Sequence, residues 1–261
     1  MTLTITPLPG IPLVQPGDDL PGLVWQALQA AHITLRDGDI LVLAQKIVSK
    51  AEGRLVHLSQ VIPTRRALEL AQATEKDPRL VELILQESQA VLRSRPGTII
   101  VEHHLGFVCA SAGIDHSNVH PQSQMEQPGL DAEEWVLLLP EDPDASAQVI
   151  RQELEASSGA RLGVLIIDSH GRAWRLGTVG VAIGIAGLPA LEDMRGWPDL
   201  FGYRLKITQV GVADELAAAA SLVMGQSAEG TPVVHVRGFP YPLREGKLSE
   251  LIRPREQDLF R

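Results

Sequence analysis

Gly163-Val164-Leu165-Ile166-Ile167-Asp168-Ser169-His170-Gly171-Arg172 is the stretch of sequence around which the predicted fold is organised. Its apolar run is too short for a helix and predicts a buried strand, which changes at once into a carboxylate, a hydroxyl and a glycine. Because a strand is rigid, such a junction holds polar side chains firmly at the edge of a sheet. Taken alone, the pattern fits a solvated turn better than a catalytic site.

Two upstream stretches repeat this pattern. Residues 40–44 are a second predicted buried strand, followed by Lys46 and Lys50, point charges that suit phosphate oxygens but are also common on solvated surfaces. The small and apolar residues 107–114 lead in the same way to Asp115. Aspartates at two strand ends suit one hard divalent cation, whose preferred ligands are oxygen atoms. The sequence leaves open whether the carboxylates of Asp115 and Asp168 converge.

Composition restricts the class of protein. With 261 residues, 44% of them hydrophobic, the chain buries a full core as one large domain or two small ones. A net charge of -9 and an aromatic content of 4% argue against a nucleic-acid partner. The single cysteine, Cys109, excludes an internal disulfide. No apolar run reaches the length of a membrane span and no signal peptide is recognisable, so we expect a cytoplasmic protein without a membrane partner.

Apolar periodicity and capping residues predict helices at residues 20–31, 64–74, 78–88, 142–158 and 214–223. Further strands are predicted at residues 90–93, 98–104, 135–139, 205–210 and 232–236. These elements do not alternate strictly, which predicts an α+β fold with mixed sheets and two subdomains. The polar residues 119–134 are the expected division within a main domain of residues 1–240, and residues 241–261 are expected to form a charged, peripheral tail.

Glycines recur through residues 177–187, but without the G-x-G-x-x-G spacing of a dinucleotide-binding turn. A Walker-type phosphate loop is also absent from the sequence. Neither a Rossmann nor a P-loop fold is therefore expected, and the glycines are interpreted as part of a closely packed strand.

A set of short motifs occurs in a fixed order along the chain. The motifs are Pro9-Gly10-Ile11-Pro12, Asp37-Gly38-Asp39, Lys46-Ile47-Val48-Ser49-Lys50-Ala51-Glu52-Gly53-Arg54, Ser111-Ala112-Gly113-Ile114-Asp115 with Ser117-Asn118, Asp168-Ser169 with Gly171-Arg172, Ala213-Asp214-Glu215 and Met224-Gly225. Together they resemble the coenzyme F-420-0:L-glutamate ligase family over residues 7–238. Some members of that family carry a nitroreductase-like domain at the carboxyl terminus, which we do not expect in a chain of this length.

The resemblance implies an amide-forming ligase that uses GTP as a cosubstrate. In this chemistry GTP phosphorylates the carboxylate of the deazaflavin coenzyme F-420-0, and the amine of L-glutamate attacks the resulting acyl phosphate. Addition of further γ-linked glutamates is an extension of the same reaction. The resemblance also implies a divalent cofactor, magnesium or manganese, with a monovalent cation such as potassium as an additional candidate, and a homodimer.

Site residues follow from the resemblance by position, whereas the general base remains unassigned. Asp115 and Asp168 correspond to divalent-metal ligands, with the hydroxyl of Ser169 as a further ligand. The implied nucleotide contacts are Pro9, Gly10, Ile11, Pro12, Gln45, Lys50, Asn118, Met224, Gly225, Gln226 and Ser227.

Two departures from the family pattern keep other hypotheses open. Gln226 stands where some relatives have a glutamate, and His116 stands where an acidic residue is common. A neutral amide is a weaker metal ligand than a carboxylate, so the sequence supports a second bound metal ion less strongly. The alternative hypothesis is a non-catalytic protein that binds the deazaflavin or a nucleotide. A third is a metal-dependent hydrolase, which requires a bound water of lowered pKa.

Overall fold

The computed structural model describes residues 2–119 and 134–259. Its helices and strands are, in chain order, β1 (Thr4–Pro7), α1 (Leu20–Ala30), β2 (Ile40–Ala44), α2 (Gln45–Ala51), β3 (Leu55–His57), α3 (Arg65–Thr74), α4 (Pro78–Gln86), β4 (Ser88–Arg95), β5 (Thr98–His103), β6 (Val108–Ala110), β7 (Trp135–Leu137), α5 (Pro143–Ser158), β8 (Gly163–Arg172), β9 (Arg175–Ala186), β10 (Glu192–Asp193), β11 (Gln209–Val210), α6 (Val212–Met224) and β12 (Val233–Arg237). The helices and mixed sheets confirm the predicted α+β class, and the topology is neither a P-loop nor a Rossmann fold.

A five-stranded sheet in the order β1-β12-β2-β8-β9 forms the main layer. β2 and β8 are parallel, whereas every other neighbouring pair is antiparallel. β12 is antiparallel to both β1 and β2, so β1 runs in the same direction as β2 and β8. The carboxyl ends of these three strands therefore lie at one edge of the sheet, and β12 begins there.

Both faces of this sheet are buried, which explains the unbroken apolar runs of β2 and β8. Successive side chains of a strand point to opposite faces, so each run divides between two hydrophobic clusters. Leu41 and Leu43 pack with α1 and α5 on one face, and Ile40 and Val42 pack with α6 on the other.

Helix-borne aspartates fasten β9 to the helices on either side. Asp144, in the first turn of α5, accepts a hydrogen bond of 2.8 Å from the Ile185 amide. Asp214, in the first turn of α6, accepts one of 2.9 Å from Ala182. A Cβ atom built on Gly184 would lie 2.7 Å from Pro143 Cβ. This close approach of β9 to α5 confirms the interpretation of the glycine-rich run as a packed strand.

The remaining elements form a second packed region. A third hydrophobic cluster, drawn from residues 58–138, packs α3 and α4 against the three-stranded sheet β4-β5-β6 and the β3-β7 pair. Thr98–His103 and Ser88–Arg95 form the predicted hairpin. Except for its two end residues, the predicted division at 119–134 lies outside the described residues.

The carboxyl-terminal segment lies on the surface of the main layer, where one buried side chain and a few hydrogen bonds attach it. Leu248 is buried, and its amide donates to the carboxylate of Asp144 at 3.0 Å. Arg244 donates to the Leu191 carbonyl at 2.7 Å and pairs with Glu250 at 3.0 Å. Charged residues flank this apolar anchor, and every other residue of 241–259 is exposed or half-buried.

The predicted strand at residues 205–210 is wrong for most of its length, because the structure has a strand only at Gln209–Val210. The alternating apolar residues Leu205 and Ile207 do not form a buried face, and Ile207 is 88% exposed. Within the described ranges, no helix has both the length and the apolar character needed to cross a bilayer.

Candidate active site

The parallel pairing of β2 with β8 brings two of the predicted junctions side by side. Ala44 pairs with Ile167 at the ends of the apolar runs. Gln45 and Asp168, the next residues in each strand direction, therefore lie at the same edge of the sheet. This placement required a parallel register between segments far apart in sequence, which the local pattern did not specify.

Asp115 joins this edge from the second packed region. Its backbone forms a two-way bridge with Leu137, with N···O distances of 3.0 and 2.9 Å. Its carboxylate accepts a hydrogen bond of 2.7 Å from Gln45 Nε2 and lies 3.3 Å from Lys46 Nζ. Ser49 donates to Gln45 Oε1 at 2.8 Å, which turns the amide nitrogen of Gln45 toward Asp115.

The electrostatics of Asp115 reflect its neighbours. Burial raises the pKa of its carboxyl, the Lys46 ammonium lowers it, and the charge of Asp168 raises it again, which leaves the pKa at about 6. Burial and the charge of Lys46 likewise lower the pKa of Lys50. Two carboxylates and two ammonium groups thus interact within one polar region.

The side chains at the end of β8 point to opposite faces of the strand. Asp168 and His170 project from one face of the strand and Ser169 from the other. His170 Nε2 lies 3.0 Å from Asp168 Oδ2, and both side chains are nearly buried. Ser169 Oγ donates to Gln226 Oε1 at 2.8 Å, and Gln226 Nε2 donates to Ser221 Oγ at 2.9 Å. Asp168 and Ser169, the metal ligands that the resemblance implies, therefore have different neighbours.

The loop between α6 and β12 closes the same edge. Asn118 Nδ2 donates to the Ser227 carbonyl at 3.0 Å, which links this loop to the segment that follows Asp115. Thr231 Oγ1 donates to the Met224 carbonyl at 3.0 Å, which fixes the width of the loop. Gly225 takes a φ of 81°, a conformation that favours glycine. The implied nucleotide residues Asn118 and Ser227 are therefore in direct contact.

The segment Pro9-Gly10-Ile11-Pro12 follows β1 at this edge. The Leu8 amide donates to the Val233 carbonyl at 2.8 Å, which carries the chain past the start of β12. Ile11 packs against the cluster under α1, whereas Gly10 is exposed. The sheet order thus assembles all the implied segments at one edge, namely residues 9–12, 45–50, 115–118, 168–169 and 224–227.

Comparison with known proteins identifies the family. The sequence model of the F420-0:Gamma-glutamyl ligase family matches residues 10–238. The chain belongs to this family of ligases. It is 48% identical over 263 residues to the Coenzyme F420:L-glutamate ligase of Methanothermobacter thermautotrophicus, and the match covers the whole of both chains.

Two other proteins named Coenzyme F420:L-glutamate ligase show similar coverage. The protein of Methanopyrus kandleri is 46% identical over 264 residues, which span 100% of this chain and 98% of the relative. That of Archaeoglobus fulgidus is 40% identical over 261 residues, which span 100% of this chain and 97% of the relative. The resemblance found in the sequence motifs is thereby confirmed.

The donor set of this F420-0:gamma-glutamyl ligase family member fits a hard divalent cation. Asp115 and Asp168 offer carboxylates, Ser169 a hydroxyl and Gln226 an amide, all of them oxygen donors. Nowhere in residues 2–119 and 134–259 do three His, Cys, Asp or Glu side chains form a metal-holding group. Magnesium-type sites commonly use one or two carboxylates and leave the other positions to water and substrate phosphates. The residues present therefore fit such an ion.

Sequence reasoning missed the position of His170. The available signal was its spacing of two residues from Asp168 in a predicted strand, which places both side chains on one face. It also missed Phe107, whose ring lies between two imidazoles, with centroids 5.3 Å from His103 and 5.1 Å from His170. The pairing of β6 with β5, which carry Phe107's neighbours and His103, is a tertiary feature with no local signature.

Proposed function

We propose that this protein is a GTP-dependent coenzyme F-420-0:L-glutamate ligase. The observation that carries the proposal is the assembly of Asp115, Asp168 and Lys46 at one sheet edge, in a chain that full-length ligase relatives match from end to end. Carboxylates and ammonium groups in one region suit a reaction in which several anions must meet. The names of the relatives supply L-glutamate and the F420 coenzyme as the substrates of this proposal.

The reaction proceeds in two steps. The acceptor carboxylate of F-420-0 attacks the γ-phosphorus of GTP, the bond to the β-phosphate oxygen breaks, and an acyl phosphate and GDP form. The amine of L-glutamate then attacks the acyl carbon, phosphate leaves, and a proton is lost from nitrogen as the amide forms. Positioning of the two reactants supplies much of the acceleration in such a transfer. Further γ-linked glutamates are added by the same two steps.

The chain's own residues bind and orient the anions. Lys46 and Lys50 neutralise phosphate charge, and the half-buried position of Lys50 strengthens that interaction because little water screens it. Residues 9–12 and 224–227, with Gln45 and Asn118, border the nucleotide. When bound, magnesium or manganese at Asp115, Asp168 and Ser169 neutralises phosphate charge and polarises the phosphoryl group, and potassium is a further candidate cofactor.

A second candidate function is favoured by Gln226. Its amide oxygen accepts a hydrogen bond from Ser169, and its amide nitrogen donates one to Ser221. Gln226 is therefore a neutral member of a chain of hydrogen-bonded side chains. A protein that binds the coenzyme or a nucleotide without turnover tolerates such a neutral residue, whereas a second metal site benefits from a carboxylate. Binding of GTP or F-420-0 without any glutamylated product would favour this function.

We also propose that the protein acts as a homodimer. Several large apolar side chains in residues 174–207 are almost fully exposed, namely Leu176, Leu200, Phe201 and Ile207. Exposed apolar side chains of this size mark a protein interface where they form one contiguous patch. A second copy of the chain is the partner that the family resemblance supplies.

The decisive experiment supplies purified protein with GTP, L-glutamate, Mn²⁺ or Mg²⁺, and F-420-0. We expect release of GDP and a mass gain of one or more glutamyl units on the coenzyme. Asp115→Asn and Asp168→Asn should each lower the rate by roughly 100-fold or more, a loss typical of a missing electrostatic group in such sites. Asp37→Asn, at the opposite edge of the sheet, is the matched control and should retain activity. Product formation without GTP would contradict the proposal.

A further inference from the structure

A polar cavity in the second packed region has no role in the reaction above. It lies between the end of α4, the end of β5 and the segment that follows β7, and its volume is about 300 Å³. This volume is at the lower end of the range for small-molecule pockets and has room for a molecule the size of about ten waters. The polar side chains that line it are Arg54, Glu87, His103, His104 and Glu141.

His103 contributes a buried hydrogen-bond donor that has no partner. Its side chain is 3% exposed, and its Nδ1 atom accepts a hydrogen bond of 3.0 Å from the Leu105 amide. In the neutral ring the proton is therefore on Nε2. This Nε2 atom makes no hydrogen bond within the described residues and lies 3.8 Å from Glu87 Oε2, which is too far for one. Since buried donors are normally satisfied, the N–H indicates a bound ligand or water.

The imidazole of His103 is a neutral donor at pH 7. Burial is the main cause that lowers its pKa to about 4, and the charges of His104 and Arg54 lower the pKa further. A neutral ring whose Nδ1 is already an acceptor presents only its Nε2 proton to the cavity. A ligand at this point must therefore offer an acceptor.

Arg54 and Glu87 add opposite charges to the same cavity. Arg54 Nη2 donates to Glu87 Oε2 at 2.9 Å, and Arg54 Nε donates to the Leu139 carbonyl at 2.9 Å. Arg54 Nη1 and Glu87 Oε1 make no hydrogen bond in the part of the chain that the structure describes. The ion pair thus keeps one donor and one acceptor for a ligand. Glu141 is exposed and adds a second negative charge where the cavity opens to solvent.

We propose that this cavity binds the zwitterionic end of a free α-amino acid. The ligand carboxylate accepts from His103 Nε2 and Arg54 Nη1, and the ligand ammonium donates to the carboxylates of Glu87 and Glu141. A simple anion would meet two carboxylates and one guanidinium, and a simple cation would leave the His103 N–H without an acceptor. A zwitterion satisfies both sets of groups with charge-assisted hydrogen bonds. This binding is independent of the proposed ligase reaction.

The cavity is separate from the reaction centre. The ring of Phe107 stacks on His103 at a centroid distance of 5.3 Å and contacts His170 at 5.1 Å. His170 in turn lies 3.0 Å from Asp168 Oδ2. An amino acid in the cavity is therefore not placed to attack an acyl phosphate at Asp168. The cavity is a second site for this class of molecule.

The test is nuclear magnetic resonance of the full chain with ¹⁵N-labelled histidine side chains, without GTP or metal. L-alanine and L-glutamate should each shift the Nε2 resonance of His103 in a saturable way. Acetate and methylammonium should bind at least about tenfold more weakly, because each lacks one of the two charges. A His103 resonance that no amino acid moves would show that only water occupies the cavity and would overturn the proposal. Equal binding of acetate would also overturn it.

A matched pair of variants identifies the histidine. His103→Phe keeps a ring against Phe107 but removes the N–H, and it should raise the dissociation constant of L-alanine at least about tenfold. His57→Phe is the control, since His57 Nδ1 also accepts the amide two residues on, from Ser59 at 3.3 Å, but His57 does not line the cavity. Calorimetry measures both, and unchanged binding in His103→Phe would refute the proposal. If circular dichroism shows His103→Phe to be unfolded, the His103 resonance of the unsubstituted protein decides.

Discussion

Asp39 shows, at the scale of single residues, that a residue of the sequence motifs can have a purely structural role. It lies just before β2, at the edge of the sheet opposite the candidate site. Its side chain is 2% exposed, and its carboxylate accepts hydrogen bonds from Arg237 Nε at 2.8 Å, His235 Nε2 at 2.9 Å and the Arg36 amide at 2.9 Å. These contacts tie β2 to β12.

Replacement of Asp39 should therefore destabilise the fold without touching the site. We expect Asp39→Asn to lower the free energy of unfolding by about 3 kcal/mol at pH 7, because Arg237 loses the partner of a largely buried ion pair. Asp37→Asn is the matched control. Asp37 is exposed and accepts one backbone hydrogen bond, from Arg161, so its loss should cost less than about 1 kcal/mol. Urea denaturation measures both, and equal losses would contradict the prediction.

The difference between Asp39→Asn and the unsubstituted protein should also depend on pH. Burial alone would raise the pKa of Asp39, but the hydrogen bonds from Arg237 and His235 outweigh it and hold the pKa below its usual range. A carboxyl with a depressed folded pKa stabilises the protein above its unfolded pKa of about 3.9, and the stabilisation is lost as the pH falls toward the folded pKa. The difference should stay constant from pH 7 to 5 and narrow below pH 4.

At the scale of secondary-structure elements, the packing of β9 against α5 gives the next prediction. Gly184→Ala places a methyl group 2.7 Å from Pro143 Cβ and closer still to the Pro143 carbonyl oxygen, so strand or helix must move. We expect a loss of about 2 kcal/mol in the free energy of unfolding. Gly171→Ala, on the neighbouring strand, has no atom within 4 Å of the new methyl and should change stability by less than about 0.5 kcal/mol.

The β9 prediction is checked by chemical denaturation of both variants under one set of conditions. A change in the denaturation midpoint at constant slope reports stability, whereas a changed slope reports an altered unfolded or native state. If Gly171→Ala were as destabilising as Gly184→Ala, the cause would be the general cost of altering a strand glycine. The close approach of Pro143 would then have no special effect.

The elements that the sequence predicted well are those whose residue pattern is local. The apolar runs of β2 and β8 and the hairpin of β4 and β5 carry signals within a few residues of each other. The parallel pairing of Ala44 with Ile167 joins segments more than a hundred residues apart, and no local pattern encodes it. The strand predicted at residues 205–210 is wrong for most of its length, because the alternating apolar residues there do not pack against a buried face.

The candidate site became visible only at the scale of the whole molecule. Resemblance assigned Asp115, Asp168 and Asn118 by position, but the sheet order and the antiparallel β12 explain why their segments share an edge. His170 shows what this approach leaves out, because its relation to Asp168 depends on strand alternation and its ring packs against Phe107, which lies just before β6. Strand pairing and side-chain enclosure are properties of the assembled chain.

The proposed dimer is the last prediction at this scale. Leu200 is 98% and Phe201 is 96% exposed, and a glutamate at either position would place an unpaired charge in an apolar interface. We expect light scattering to give a dimer mass for the unsubstituted protein. The double variant Leu200→Glu/Phe201→Glu should dissociate at least about 100-fold more readily, which corresponds to about 3 kcal/mol.

Ile62→Glu is the matched control for the dimer, because Ile62 is 87% exposed but lies outside residues 174–207. A charge at this position should leave the dimer mass unchanged. A monomer mass for the unsubstituted protein at micromolar concentration would refute the dimer, and a dimer that survives the double variant would place its interface elsewhere. Far-ultraviolet circular dichroism of each variant separates dissociation from unfolding, since exposed positions can accept a charge without loss of the fold.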